Sequence, residues 1–576
     1  MYRWLILTVA AVPMLLSSFR TATPGLVWWT THALEKIRPY DSIPADLNKS
    51  ASVSAARNEF EAFQVVLRSE TPISGIDVSL SDFTGPNGAV LSRQNAVVFF
   101  EGMLDLKKPS SIEGRPGLWP DPLIPRVDRY SNERRNSFPF DLTADRNQPI
   151  WIELYIPTST TPGSYCGDVA IDVLNRRQVT IPVTLEIWNF TLPSTSSLPT
   201  SFGVNGLTAQ RQHFGQYTND DDVLKLTWIY QKALLWHRIS VHGAAMAPPP
   251  FVRRGDRVEI DWRKYDEEVA SFLDGTVFQG NEPLLGARAT TIDLRTSGAA
   301  NTDALKILYW REFARHFREK GWFDRLFNYV WDEPGENDFP AVLRKAQLTR
   351  TADPEIRNLV TAPLNPAWKD VIDLWSPLIN CFERKAGHHP FCKPMADRDS
   401  YRPEEQNGKT LWWYQSCASH GCNTVGGEYF TGWPSYMIDI SPVANRIMEW
   451  VTWKYGIQGE LYFNTTEAFG KQGNPWQEIS MFGGNGDGTL LYPGLPSRIG
   501  GRTHIPIESV RLKLIREGLE DYEYLHMLSR LGESSLAIEI VNTMVRKTYD
   551  FEHDPAKLYS ARQRMGEELS RLGAGK

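Results

Sequence analysis

The sequence predicts a multidomain fold of mixed class: an all-β N-terminal β-sandwich, then an α/β unit of the (β/α)8 TIM-like barrel type, then extra C-terminal helices. Three observations carry this. At 576 residues the chain exceeds what one core supports. Up to about residue 195, short alternating or apolar runs are broken by Gly, Pro, Asn and Asp, with no long amphipathic helix between them. Beyond that point strand-like runs alternate with segments whose apolar residues recur at i, i+3, i+4 and i+7.

Residues 1–24 read as a secretory signal: Arg3 precedes an apolar run over 5–16, and small and polar residues follow. The run is short for a membrane span, although an uncleaved N-terminal anchor also fits, and no other segment is apolar enough to span. The expected location is therefore secreted, periplasmic or at the cell surface. Residues 25–195 form the sandwich, with strands at 60–67, 96–101, 150–156, 167–173 and 179–188. A hairpin-type turn is expected at Pro162-Gly163-Ser164-Tyr165, and a linker at 192–199. Residues 196–530 form the barrel. Its strands are expected at 200–204, 239–242, 326–331, 358–361, 372–375, 409–414 and 459–463, with a weakly marked one between 258 and 294. Helices are expected at 221–237, 304–320, 340–353 and 442–455. Residues 531–576 are a helical extension packing outside the barrel, and the charges of 516–524 suit a solvated helix face.

Composition narrows the partners. With 62 basic and 68 acidic residues the formal charge is -6, and no long basic run offers a surface for phosphates, so nucleic acid is excluded. Aromatic residues make up 12%, including 20 Trp, and indole faces suit sugar rings as well as cores. Export would place the five cysteines in an oxidising compartment, where Cys417 with Cys422 and Cys381 with Cys392 are candidate local disulfides and Cys166 is left over. His388, His389 and His420 lie near those cysteines, but the Cys spacing lacks the tight pairs of a zinc site. No metal and no cofactor is expected.

The run Phe327-Asn328-Tyr329-Val330-Trp331 reads as a buried strand that delivers two acids, Asp332 and Glu333, to its end, because Pro334 and the polar residues after it stop the ladder. In a barrel that end is the lip where active sites form. One acid kept protonated beside one anion suits glycoside chemistry. The same Asp-Glu-Pro also serves as an ordinary strand exit with Asp as a helix cap. If the strands are parallel, His242, Thr361, Asp373, Trp375, Tyr414, Gln415 and Asn464 share the mouth. Strand alternation puts Trp412 and Tyr414 on one face and Trp413 on the other. A glycine-rich loop over 483–494 lacks the Gly-Lys-Ser/Thr ending of a nucleotide loop and adds Asp487 and Tyr492. The candidate substrate contacts are His242, Trp375, Trp412, Tyr414, Asn464, Asp487 and Tyr492.

Four segments in order, Tyr329 to Pro334, Leu411 to Tyr414, Gly486 to Gly488 with Leu491 to Gly494, and Arg511 to Leu525, resemble the DUF4091 proteins akin to glycoside hydrolase family 123. Arg57 to Gln64 resembles the entry to that family's N-terminal sandwich. The resemblance implies a secreted enzyme that removes terminal β-linked N-acetylhexosamine, GalNAc favoured, from a glycan or glycoconjugate by substrate-assisted retaining catalysis. Asp332 would orient the substrate's acetamido group, Glu333 would act as acid and base, and Tyr414 would hold the acetamido oxygen. Two other readings fit the residues: a glycosidase on a non-acetamido sugar that pairs Glu333 with a distant carboxylate such as Glu460 or Asp487, and a non-catalytic surface glycan-binding protein.

Overall fold

The computed structural model describes residues 25–573 apart from 217–219, 244–246, 388, 393–394, 422–426 and 472–473. The expected signal segment, His388 and Cys422 thus lie outside the described residues.

Two seven-stranded sheets face each other in the N-terminal half. The first runs in the order Leu26–His32, Glu59–Ser69, Gln148–Ile156, Ala96–Leu106, Gly117–Pro125, Ile505–Ser509, Leu491–Gly494. The second runs Ala51–Arg57, Arg176–Thr191, Gly163–Val173, Ile73–Leu80, Phe140–Leu142, with Phe83–Thr84 also paired to Gly163–Val173 and Val90–Leu91 paired to Phe83–Thr84. Alternate residues point inward: Phe63, Val65, Leu67, Ile150, Ile152 and Leu154 meet Val169, Ile171, Ile181, Val183 and Leu185 in one core. The segment at Pro162 is no hairpin, because Gln148–Ile156 and Gly163–Val173 belong to different sheets and the chain crosses between them.

Eight short parallel segments follow one another in space in chain order: Thr200–Gly203, Val241–His242, Ile292–Asp293, Leu326–Trp331, Arg357–Val360, Leu374–Trp375, a segment over 410–414 and Glu460–Tyr462. They form two sheets of five and four strands joined through 410–414, whose ladder breaks at Trp412. The barrel is only partial. Among the described residues no backbone ladder joins Val241–His242 to Ile292–Asp293, and the gap is bridged where Gly243 N–H donates to the Asp293 carboxylate at 2.9 Å. The alternation is also incomplete: after Arg357–Val360 stands a single turn, Pro366–Trp368, in place of a helix, and the hairpin Phe251–Arg254/Arg257–Ile260 is inserted after the second strand.

The two halves share structure. The hairpin Leu491–Gly494/Ile505–Ser509, which comes after the last barrel strand, extends the first sandwich sheet. The helix Val510–Arg530 follows it, and its charges are not solvated: Arg511, Arg516, Glu517, Glu520, Asp521 and Glu523 are at most 1% exposed. Such burial is tolerated only in pairs. Arg511 meets Asp121 at 2.8 Å, Arg516 meets Glu153 at 2.7 Å, and Glu520 meets Arg238 at 3.2 Å. The segment expected as a linker is pinned as well, with Leu192 and Leu198 in the core and Ser197 N–H donating to Glu523. The last helix, Pro555–Gly573, lies on the sandwich, where Gly566 fits against the Trp188 indole and Arg562 pairs with Glu61 and Asp521. No described helix is long and apolar enough to cross a membrane.

Candidate active site

Leu326–Trp331 is flanked on both sides by parallel neighbours, and its register slips between Tyr329 and Trp331. A bulge of this kind bends a strand and re-aims the side chains beyond it. The next residues are Asp332 and Glu333, and Glu333 has φ +44°, a left-handed conformation that a non-glycine residue adopts at a cost of order 1–3 kcal/mol. Thr361, just past the neighbouring strand, holds this turn. Its hydroxyl accepts from Glu333 N–H at 2.7 Å and lies 2.9 Å from Asp332 Oδ1.

The two acids have different surroundings. Asp332 Oδ1 is also bonded by the Tyr329 hydroxyl at 2.8 Å, whereas Oδ2 accepts no hydrogen bond from the described residues and is open to a substrate donor. Glu333 Oε1 accepts from the Tyr414 hydroxyl. Glu333 is exposed as a residue, but protein crowds its carboxyl. Loss of water raises its pKa above the ordinary carboxylate value, Tyr414's hydrogen bond opposes that, and the Asp332 charge adds to it. This is the environment of a carboxyl that holds a proton for delivery.

Both acids line a cavity of about 370 Å³ with Thr361, Tyr414, Phe463, Phe482, Asp487 and the loop residues His389, Pro390 and Phe391. Asp487 arrives on the glycine-rich loop, where Gly488, at φ +66°, packs too closely on the Phe463 ring to carry a side chain. Its Oδ2 accepts from Cys417 N–H at 2.9 Å and its Oδ1 from the Tyr462 hydroxyl at 3.1 Å. Burial pushes its pKa up to about 6 against those donors. A larger cleft of about 900 Å³ lies between the sandwich and Trp236, where Arg126 pairs with Asp77 and Arg129 with Glu153.

Of the other residues expected at the mouth, several stand elsewhere. Trp375 is 1% exposed and stacks on Trp368 at 6.4 Å, so it is core. Trp412 does share a face with Tyr414, but it sits deeper in the barrel interior against Phe327, under Gly459, and does not reach the cavity. Trp413 faces the helices and donates to Thr452. Tyr492 is fully buried and donates to Asp121 of the sandwich, a tie between the halves. Asn464 caps its own turn through Thr465 and Thr466 N–H. His242 bonds Ser201 at 3.0 Å and packs edge-on against Tyr329, one residue removed from the cavity wall. Asp373 precedes its strand at the opposite end and pairs with Lys409 and Arg350. Glu460 also begins its strand, is fully buried and accepts from Tyr436, so it cannot face Glu333 across a substrate.

Cys381 and Cys392 form a disulfide that closes the loop bearing His389 to Phe391. The proposed pairing of Cys417 involves Cys422, outside the described residues, and Cys166 is a free, exposed thiol. No group of metal-ligating side chains is found among the described residues. The sequence reading missed Phe391, 46% exposed, and Phe482, 55% exposed with φ +51°, because loop aromatics carry no periodic signal. Thr361 stands at the mouth as expected, and Tyr329, not singled out as a site residue, was legible in principle on the strand already marked.

A strand-end pair of acids in different surroundings, in an aromatic-rimmed cavity at a barrel lip, is an arrangement suited to glycoside chemistry. The family model "Glycoside hydrolase 123, catalytic domain" matches residues 286–528, and the model "Glycoside hydrolase 123 N-terminal domain" matches residues 37–173. Among solved structures, a family 123 glycoside hydrolase from Clostridium perfringens, described by its glycolipid glycan hydrolysis, superposes with a TM-score of 0.68 over 96% of this chain and 98% of that one, at 16% identity. A family 39 glycoside hydrolase from Bacteroides cellulosilyticus reaches a TM-score of only 0.32 at 10% identity, with 82% of each chain covered. No curated protein matches in sequence. The chain belongs to glycoside hydrolase family 123.

Proposed function

We propose that this glycoside hydrolase removes terminal β-linked 2-acetamido sugars, GalNAc favoured, by substrate-assisted catalysis with retention. The observation that carries the reading is the placement of its acids. Asp332 and Glu333 are neighbours on one strand exit, whereas a retaining enzyme with its own nucleophile sets two carboxyls about 5 Å apart on opposite sides of the bond. The substrate's acetamido oxygen then serves as nucleophile. Asp332, fixed through Oδ1 by Tyr329 and Thr361, offers Oδ2 to the acetamido N–H. The acetamido oxygen bonds to C1 as the glycosidic bond breaks, and the leaving oxygen takes the proton of Glu333. Glu333 next takes a proton from water, whose oxygen attacks C1 and reopens the ring. Tyr414, the hydrogen-bond donor to Glu333, turns to the acetamido oxygen when substrate is bound. Asp487 is the remaining carboxylate in the cavity and suits a sugar hydroxyl. Export of the enzyme, expected from residues 1–24, fits a glycan substrate.

The test is release of p-nitrophenol from β-GalNAc, β-GlcNAc and β-galactoside substrates by the wild type, Glu333→Gln and Asp332→Asn. Hydrolysis confined to the acetamido sugars, reduced about 10²- to 10⁴-fold in Glu333→Gln, supports the reading. Turnover of the plain galactoside refutes it and favours a partner carboxylate such as Asp487, which lines the same cavity.

A further inference from the structure

The cleft of about 900 Å³ between the sandwich and Trp236 shares no lining residue with the catalytic cavity. Its walls come from both sheets of the sandwich, through Ser79 on one and Val98 on the other, and from the barrel side through Trp236 and Pro283. Its size is at the upper end of the range for ligand sites, about 300–1,000 Å³. Four polar side chains at this cleft are exposed and make no hydrogen bond or ion pair with the described residues: Arg93 and Gln94 on one turn, Asn132 and Asn281 on separate loops. The turn itself is fixed through its backbone, where Arg93 N–H donates to Asp82 at 2.8 Å and Gln94 N–H to the Ser92 hydroxyl at 3.3 Å, so both side chains stay uncommitted. Trp236, 3% exposed and stacked on Phe278 at 5.5 Å, keeps a buried indole N–H with no partner among the described residues. A buried donor is costly unless something bonds it.

The charges of the cleft do not cancel. Asp77 stands between Arg126 at 2.8 Å and Arg134 at 3.7 Å, so one carboxylate answers two guanidiniums. Arg93 has no counter-ion among the described residues. The two carboxylates that line the cleft do not supply one, because Asp128 pairs with Arg135 and Glu282 with Lys232. A chain of formal charge -6 thus carries a local positive bias here.

We propose that this cleft is a second, non-catalytic site that binds an acidic oligosaccharide, one bearing sulfate or carboxylate groups, with Arg93 as its anion contact. The amides of Gln94, Asn132 and Asn281 each donate and accept, which matches sugar hydroxyl and acetamido groups. Pro283 and the Trp236 indole supply apolar wall for the C–H faces of a ring. A nucleic acid would need several uncommitted cations along a phosphate track, and Arg93 is the one cleft cation without a counter-ion among the described residues. Bound there, an acidic glycan holds the enzyme in place while the catalytic cavity works elsewhere on the molecule. The inference does not depend on which sugar the catalytic cavity accepts.

The experiment is calorimetric titration of the full-length protein with three hexasaccharides whose non-reducing end is a uronic acid or its reduced form: chondroitin sulfate, its desulfated form, and the desulfated form with its carboxyls reduced to alcohols. One equivalent of the sulfated probe binds, Kd rises with salt, and the neutral probe binds about tenfold more weakly or worse. Arg93→Gln weakens the sulfated probe about tenfold and Arg93→Lys restores part of the loss. The double variant Gln94→Ala/Asn281→Ala weakens it as well. Melting temperatures stay unchanged, since none of these side chains bonds the fold among the described residues. If the desulfated probe binds as tightly as the sulfated one, carboxylate is the recognised anion; if it fails to bind, sulfate is; either result supports the site. Equal binding of the neutral probe or of a hexaglutamate peptide overturns the proposal, as does binding of the charged probes that neither Arg93→Gln nor the double variant moves, or no binding of any probe.

Discussion

Removing the Tyr414 hydroxyl should move the basic limb of the pH–rate profile upward, and removing the Asp332 charge should move it downward. On the proposed mechanism the basic limb of kcat/KM reports loss of the proton from Glu333 in the free enzyme, because only the protonated carboxyl can act as acid. Burial and the neighbouring Asp332 hold that proton on, and the hydrogen bond from Tyr414 favours its loss. Tyr414 is 4% exposed, so Tyr414→Phe keeps the ring packing and deletes only the donor. A hydrogen bond to a charged group is worth about 1.5–3 kcal/mol, which is about 1–2 pH units. Water reaches Glu333 at the mouth, which places the expected shift near one unit, upward. Asp332→Asn removes a like charge at a distance where solvent screens it, so the shift is downward and about half as large. The assay is kcat/KM against pH with an activated aryl glycoside, wild type beside both variants. Opposite displacements support the assignment of Glu333 as the titrating acid. Displacement of both variants in the same direction, or an unmoved limb in Tyr414→Phe, refutes it.

Two further predictions concern the frame of the site. Arg511 pairs with Asp121 and donates to the carbonyls of Gly486 and Thr489, on either side of Asp487, so Arg511→Ala leaves the buried Asp121 carboxylate without its cation, with the Tyr492 hydroxyl still donating to it, and should cost about 3–5 kcal/mol. Thermal unfolding should show a clear loss and substrate KM should rise; an unchanged midpoint contradicts the pairing. Glu101 is 1% exposed, its Oε1 finds no partner among the described residues, and burial with the nearby Asp121 charge pushes its pKa from 4.5 up to about 8. A carboxyl whose folded pKa is raised contributes stability below about pH 4.5 and loses it as pH climbs toward 8, so Glu101→Gln should gain on the wild type by up to a few kcal/mol at pH 8 and not at pH 4.5. A difference in melting temperature that is flat in pH counts against it.

The placement of Asp332 and Glu333 at a strand exit was legible in the sequence because they end an apolar strand at a proline, and the facing of Trp413 and Tyr414 because strand alternation is strict. Barrel strands of two residues, such as Ile292–Asp293 and Leu374–Trp375, carry too little pattern to be bounded, and this is why the closed barrel was over-read. Trp375 and Trp412 show the limit of lip arguments: a side chain's depth in the interior depends on neighbours such as Trp368 and Gly459, which strand periodicity does not specify. The charged helix Val510–Arg530 misled for a different reason. Its bases find partners in the sandwich and acids such as Glu520 and Asp521 find theirs on Arg238 and Arg446, all far away along the chain, so its charges looked like a water-facing surface. Phe391 and Phe482 sit on loops, and only the folded chain shows them exposed at one cavity.

The substrate's own part in the chemistry can be measured directly. A series of p-nitrophenyl glycosides bearing acetyl, monofluoroacetyl, difluoroacetyl and trifluoroacetyl groups on nitrogen weakens the acyl oxygen as nucleophile while leaving the ring and leaving group unchanged. If that oxygen attacks C1, kcat falls steeply and monotonically with each fluorine. A kcat that stays flat across the series would show that a residue of the enzyme, not the acetamido group, performs the attack.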